Sequence, residues 1–277
     1  MGELIPLFPL GTPLFPGIVL PLQIFEPRYR RLMRDLLGHP ESGDRRFFGV
    51  VAIRQGWEVE QVAPAEALYD VGCTARVQAV RPQPDGGFRI VTVGGERFRL
   101  LEVVVGEDPP YLQGVVEWLS EEEAAEEAAG DTDGLVVPGT AESGPPCDDG
   151  LDEVVAAVAR GSLDVLCSGV RDLFTRYVAE VADLGSGGGD DDGEPTVDAE
   201  TAVLLEAVSD DPAALSYLVA SAALLTTEDR QALLAESATR RRLAHEARLL
   251  RRELTLLQTL GAVPVPLHQF ATPMTVN

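Results

Sequence analysis

The apolar residues of this chain change rhythm near residue 150. Up to about Ser120 they fall in short alternating or continuous runs closed by turn residues, and beyond 150 they recur at three- and four-residue spacing. Leu4 to Leu10, broken by Pro6 and Pro9, predicts an edge strand or an extended segment. Ile18 to Phe25 is a second apolar run. Phe47 to Ile53, Val71 to Val80, Phe88 to Val93, Arg97 to Val105 and Tyr111 to Leu119 complete the strand candidates. Within Val71 to Val80, alternation puts Cys73, Ala75, Val77 and Ala79 on one face and Thr74, Arg76 and Gln78 on the other. Asp85-Gly86-Gly87 is a hairpin turn signal, and Gly94-Gly95 predicts a bulge or a sharp bend. Short strands at this spacing predict an antiparallel barrel or sandwich.

One helix interrupts the strands. Glu26-Pro27 opens it, with Pro27 at the first helical position. Tyr29, Leu32, Met33, Leu36 and Leu37 form its apolar face, and Gly38 and Pro40 end it. The second half of the chain is helical throughout. Leu166, Val170, Leu173, Tyr177 and Val181 make one stripe over Val165 to Ala182. Thr201 to Val208 is a short helix. Asp211 caps the next, with Pro212 at its first position, to about Leu224, and Thr227 caps Glu228 to Ala235. The last helix, Thr239 to Leu260, carries Leu243, Ala247, Leu250, Leu254 and Leu257 in a heptad seam. That seam is expected to pack on the preceding helices rather than on another chain. Gly261 and Pro264 terminate it. Arg240, Arg241, Arg242, Arg248, Arg251 and Arg252 lie on its other faces, where a solvated surface is the expected role.

Two stretches have the composition of flexible linkers. Residues 121–150 run from Glu121-Glu122-Glu123 into Gly, Asp, Ser and Pro, and 185–195 contain Gly187-Gly188-Gly189-Asp190-Asp191-Asp192. The expected organisation is therefore a β domain over 1–120, the acidic linker, a helical subdomain over 151–261 with a Gly/Asp-rich loop at 185–195, and a tail over 262–277.

Composition narrows the function classes. The net charge of −23 on 277 residues repels phosphate backbones and anionic membranes, so nucleic acid and membrane are not expected partners. No run approaches the roughly 18 apolar residues of a membrane span, and the N-terminus has no signal-peptide pattern, so a soluble cytoplasmic protein is expected. Cys73, Cys147 and Cys167 are too widely spaced for a disulfide framework or a CxxC metal site. All 22 basic residues are arginine. Without lysine there is no Walker contact to a nucleotide, no Ser-Lys dyad and no Schiff base. No GxSxG, GxGxxG or P-loop spacing occurs, and His245-Glu246 lacks the second histidine of a zinc HExxH motif. No cofactor, metal or catalytic residue is expected. A nucleophilic pair of Cys73 or Cys167 with His39, His245 or His268 as base is the lesser reading beside a structural role for the thiols.

A resemblance then emerges from an ordered series of motifs. Leu7-Phe8-Pro9-Leu10, Leu14-Phe15-Pro16-Gly17 and Leu20-Pro21-Leu22-Gln23-Ile24-Phe25-Glu26-Pro27-Arg28-Tyr29 resemble the start of the Lon protease N-terminal substrate-binding domain. Leu68 to Ala75, Pro84 to Gly87, Gly95-Glu96-Arg97-Phe98, Tyr111-Leu112, Asp211-Pro212 and Arg230 to Leu234 fit the same series. The resemblance covers roughly residues 4–260 apart from the acidic insertions. It implies an α+β fold, a PUA-like antiparallel β-barrel followed by a helical bundle subdomain with a long C-terminal helix. It also implies a non-enzymatic protein-binding module for unfolded or degradation-tagged polypeptide, acting as an adaptor to a protease and lacking the ATPase and protease of full-length Lon. The candidate binding residues are Phe8, Phe15, Pro16, Ile18, Phe25, Glu26, Arg28 and Tyr29, with core packing as the competing role for the apolar ones and local structure for Glu26, Arg28 and Tyr29. Two other readings stay open: a hydrolase on the same scaffold, and a self-associating structural protein.

Overall fold

The computed structural model describes residues 2–38, 46–54, 67–106, 108–119, 149–185 and 199–261. The acidic stretch 120–148, residues 186–198, the tail from 262, and with them His39, Cys147 and His268, lie outside the described residues. The first half is a sheet built from β1 (Glu3–Leu10), β2 (Val19–Ile24), β3 (Phe47–Ala52), β4 (Val71–Pro82), β5 (Phe88–Val104) and β6 (Gln113–Trp118), with helix α1 (Pro27–Leu37) between β2 and β3. The strand order is β2-β5-β4-β3-β1-β6, and β6 pairs back onto β5. The sheet thus curls on itself, while β2 remains an end strand that, among the described residues, is bonded to β5 alone.

This α+β architecture agrees with the expected class, and four details of the pairing differ. First, β1 runs parallel to β3, so the curled sheet is mixed rather than wholly antiparallel. Second, β1 is interior, not an edge. Its first half pairs with β6 and its second half with β3, so each half holds one partner and leaves room for Pro6 and Pro9. Third, the two strand candidates on either side of Gly94-Gly95 are one strand, β5, whose N-terminal half pairs with β2 and whose C-terminal half pairs with β6. A Cβ on Gly94 would overlap the carbonyl oxygen of Phe15. The glycine lets the Phe15–Ile18 turn lie against the sheet, with its N–H donating to the Ile18 carbonyl at 2.9 Å. Fourth, a register shift between Val77 and Ala79 turns Ala79 to the outer face with Arg76 and Gln78.

The hairpin between β4 and β5 closes as its residues require. Gly86 sits at φ 78°, and the Gly87 N–H donates to Asp85 Oδ1 at 3.0 Å. Arg30 of α1 donates to the Asp85 carbonyl at 3.0 Å, tying the turn to the helix.

The second half holds α2 (Asp149–Gly185), α3 (Ala199–Ala207), α4 (Pro212–Ala222), α5 (Thr227–Ala235) and α6 (Thr239–Leu260). Helix α2 takes in Asp149 and Gly150, which the composition had assigned to the linker. Asp211 caps α4 by accepting from the Ala213 and Ala214 N–H groups, both at 3.0 Å. The Asp211→Ala variant is expected to lose about 1 kcal/mol, read as a lower urea midpoint. For α5 the cap is Thr226, one residue earlier than expected, and its hydroxyl accepts from the Asp229 N–H at 3.1 Å. Arg240 donates to Ser162 and Gln258 to Glu180, an equal spacing that makes α2 and α6 parallel neighbours. The leucine seam of α6 is buried between them, with Leu243, Leu250, Leu254 and Leu257 sharing one core with Val170, Phe174 and Tyr177. The seam is satisfied within the chain, as its length suggested.

A second core joins the two halves. Phe8, Phe15, Tyr29, Phe48 and Ile90 from the sheet half are buried together with Tyr217, Leu233, Leu234 and Leu249. Specific polar contacts cross the same boundary. Gln231 Nε2 donates to the Val71 carbonyl at 2.7 Å, Thr227 Oγ1 to the Gly11 carbonyl at 3.2 Å, and the fully buried Arg97 of β5 to the Leu234 and Glu236 carbonyls.

Candidate protein-binding face

The outward face of β2, β5 and β4 forms a small grid whose rows follow from the register. Val19, Val93 and Arg76 make the first row, Pro21, Val91 and Ala79 the second, and Gln23, Arg89 and Arg81 the third. Their even-numbered neighbours in β2 and β5, Leu20, Leu22, Ile90 and Thr92, turn inward, as a half-buried strand requires. Val19 is 58% exposed and Val91 38% exposed. Phe25, immediately beyond β2, is 62% exposed. The grid therefore carries a central apolar patch with arginine at both ends and no acidic residue among its nine positions. Single exposed apolar residues are ordinary, but adjacent ones on a sheet face mark a docking surface more often.

Among the described residues, the β2 edge of the same sheet has no further strand paired to it. The Gly94 N–H donates to the Ile18 carbonyl. On the antiparallel two-residue alternation, Leu20, Leu22 and Ile24 then turn their backbone groups to β5, and Val19, Pro21 and Gln23 turn theirs outward. Pro21, which has no N–H, occupies an outward position where no ladder bond is lost.

The structure distributes the residues singled out from the sequence across different environments. Phe8, Phe15 and Tyr29 are buried; Phe8 stacks on Tyr29 with centroids 4.1 Å apart, and Phe15 faces Tyr217. Burial raises the Tyr29 hydroxyl to about 12. Pro16 and Ile18 are half-buried in the turn before β2, and only Phe25 is exposed. Glu26 and Arg28 pair with each other at 2.8 Å, and the Arg28 guanidinium lies over the Tyr29 ring. Nothing in the local pattern separates the exposed valines of the grid from ordinary strand residues. One signal for the grid was present in the sequence: Arg81 and Arg89 are equidistant from Asp85, so a hairpin centred there sets them opposite each other.

The buried polar residues of the helical half form a separate cluster. Arg242, one of the arginines assigned to the outer faces of the last helix, is instead wholly buried. It donates to Ser216 Oγ at 2.7 Å, to the Glu236 carbonyl at 2.6 Å and to Thr239 Oγ1 at 3.2 Å, and it lies 4.1 Å from the centroid of the Tyr217 ring. Ser216 in turn donates to Glu246 Oε1 at 2.7 Å. Burial pushes the Glu246 carboxyl up to about 8, against the opposing influence of Ser216 and Arg242. Its Oε2 has no hydrogen-bond partner among the described residues. These groups tie α4 to α6, with Ser216, Arg242 and Glu246 all wholly buried.

Both described thiols are buried and held protonated. Burial raises Cys73 to about 12, and its Sγ contacts the Thr74 and Gly95 carbonyls. Burial, then Asp164, raise Cys167. Neither has the lowered pKa of a reactive cysteine. A cavity of about 310 Å³ opens between α2, α3 and α4, lined by Phe174, Tyr177, Val181, Leu204, Leu205 and Leu218. No described helix is long and apolar enough to cross a membrane.

A curled mixed sheet with an exposed apolar and cationic face, backed by a helical bundle, defines an α+β domain. Residues 4–252 match the family model described as the ATP-dependent protease La (LON) substrate-binding domain, and the chain belongs to that family. Lon protease 1 of Herpetosiphon aurantiacus is 27% identical over 249 residues, covering 90% of this chain and 24% of that protein. Lon protease of Parabacteroides distasonis is 33% identical over 117 residues, 42% of this chain and 13% of that protein. The chain thus spans a quarter or less of these curated relatives. Among solved structures, the Lon N-terminal domain protein from Xanthomonas campestris is similar at 22% identity, covering 90% of this chain and 98% of that one, with a TM-score of 0.49. The N-terminal domain of Mycobacterium avium complex Lon protease covers the same shares at 15% identity and the same TM-score.

Proposed function

We propose that this chain is a non-catalytic protein-recognition module that holds extended polypeptide segments against the outer face and open edge of β2. The observation that carries this reading is the coincidence of exposed Val19, Val91 and Phe25 with strand backbone at Val19 and Gln23 that pairs with no other described strand. An extended segment would gain main-chain hydrogen bonds along the edge, and its alternate side chains would cover the apolar rows. Membership of a substrate-binding family supports the reading, and unfolded or tagged clients are the partners it favours. Delivery of those clients to a protease is its natural extension. The buried, protonated thiols favour no hydrolase, and the internal leucine seam favours no intermolecular coiled coil.

The test is fluorescence anisotropy of a labelled, reduced and alkylated, permanently unfolded protein titrated with this chain, beside the same protein in its folded form. Selective binding of the unfolded probe is expected. A V19D/F25D variant is expected to bind at least about tenfold more weakly, since each exposed apolar side chain covered on binding contributes roughly 1.5 kcal/mol or more. Both positions are exposed, so the variant should keep its thermal midpoint. Equal affinity of wild type and variant, or no binding of the unfolded probe by wild type, would remove the reading.

A further inference from the structure

The third row of the grid contains an arrangement that the fold does not need. Arg81 and Arg89 are directly opposite each other across β4 and β5, both exposed. Like charges facing one another in a cross-strand pair are destabilising. Neither guanidinium forms an ion pair with a described residue, whereas Arg28, Arg30, Arg31, Arg54 and Arg99 each have a carboxylate partner. Two adjacent guanidinium groups present a fork of donors suited to an oxyanion, and a carboxylate placed between them would relieve their repulsion. The row next to them is apolar: Pro21, Val91 and Ala79. Rows are separated by two residues of strand rise, about 7 Å. The chain as a whole is strongly acidic, with a net charge of −23, so this cationic face is a local reversal of sign.

We infer that Arg81 and Arg89 form a carboxylate subsite that selects extended polypeptides bearing an aspartate or glutamate side chain two residues from an apolar one. The inference rests on the recognition reading above and adds sequence preference to it. A segment running along the strands places its alternate side chains on the sheet face. With an apolar residue beside Pro21, in the row of Val91, the residue two positions along falls beside Gln23, in the row of the arginine pair and facing Arg89. A phosphate backbone also suits arginine forks, but the overall negative charge opposes its approach.

Two labelled, C-terminally amidated peptides of alternating valine and threonine test this. They differ in one threonine, two positions from a valine, replaced by glutamate in one and by glutamine in the other. Anisotropy titrations of the full chain are expected to give about tenfold tighter binding of the glutamate peptide. R81Q/R89Q should bring the two affinities together at the value of the glutamine peptide. The R89Q variant alone should show a thermal midpoint equal to or above wild type, because a repulsive pair has been removed. Equal binding of the two peptides by wild type, or a preference that survives R81Q/R89Q, overturns the subsite while leaving general recognition standing. Binding of neither peptide overturns both readings. A lowered midpoint in R89Q would assign the pair to the fold and overturn the subsite. Tighter binding of a single-stranded oligonucleotide than of the glutamate peptide, lost in R81Q/R89Q, would also overturn it in favour of a nucleic-acid site.

Discussion

Replacing Arg97 by methionine is expected to lower the free energy of unfolding by roughly 3–5 kcal/mol. Arg97 is 1% exposed, and its Nη1 donates to the Leu234 carbonyl at 2.9 Å and the Glu236 carbonyl at 3.1 Å. Those carbonyls lie at the C-terminal end of α5, where helical carbonyls have no partner within the helix and the dipole is negative. One side chain of the sheet therefore caps a helix of the other half. Methionine keeps most of the volume, so the loss reports the polar contacts rather than a cavity. The Leu234 carbonyl would be left buried without this donor, while the Glu236 carbonyl would keep its bond from Arg242 at 2.6 Å. Urea unfolding followed by tryptophan fluorescence measures the effect, since Trp118 packs edge-on against Phe98 beside Arg97. A loss under about 1 kcal/mol would show that the cap contributes little. Lysine is not expected to restore the loss, because a compact ammonium does not reproduce the fixed fork of the guanidinium.

Stability is also expected to fall as the pH rises from 5 to 9, through Glu246, and E246Q is expected to remove that part of the dependence. Burial raises the carboxyl from its ordinary value of 4.5 to about 8 in the folded chain. Between those values the folded state holds a proton that the unfolded state releases. The favourable contribution is therefore complete below about 4.5 and is lost as the pH climbs through about 8. The groups facing Glu246 are Arg242 on its own helix, Ser216 on α4 and the Cys167 thiol on α2. Arg242 and Ser216 favour the carboxylate, and burial outweighs them. Glutamine keeps an acceptor for the Ser216 hydroxyl and carries no charge at any pH. The stability difference between E246Q and wild type should grow by roughly 2–4 kcal/mol from pH 5 to pH 9, in favour of the variant at high pH. Urea midpoints at pH 5, 7 and 9 measure it, and subtracting wild type removes the general repulsion of an acidic chain. A difference independent of pH would mean that Glu246 is ionised in the folded state throughout.

Much of the local structure was legible in the residues. Pro27 and Gly38 bound α1, Asp211 and Pro212 start α4, and Gly261 ends α6 in the left-handed conformation, because caps and breakers act over three or four residues and need no tertiary partner. The family was legible for a related reason: its motifs are ordered strings of turn prolines, glycines and strand starts. The candidate binding residues were less so. Phe8, Phe15, Phe25 and Ile18 look alike in a sequence, and the fold buries the first two, half-covers Ile18 and exposes Phe25.

The order of strands then helices, the positions of most caps and turns, the heptad seam and the absence of lysine chemistry can be read from the residues alone. Tertiary structure alone decided that β1 is interior and parallel to β3, that Ala79 turns outward through a bulge, that Arg97 and Arg242 are buried, and that Val19, Val91 and the Arg81–Arg89 pair share one exposed face. The physical reason is range. Propensity, capping and turn chemistry are settled between neighbours in the chain. Register, strand partners and the burial of an arginine depend on residues far off in the chain, as the contact from Arg97 to Glu236, 139 positions away, illustrates.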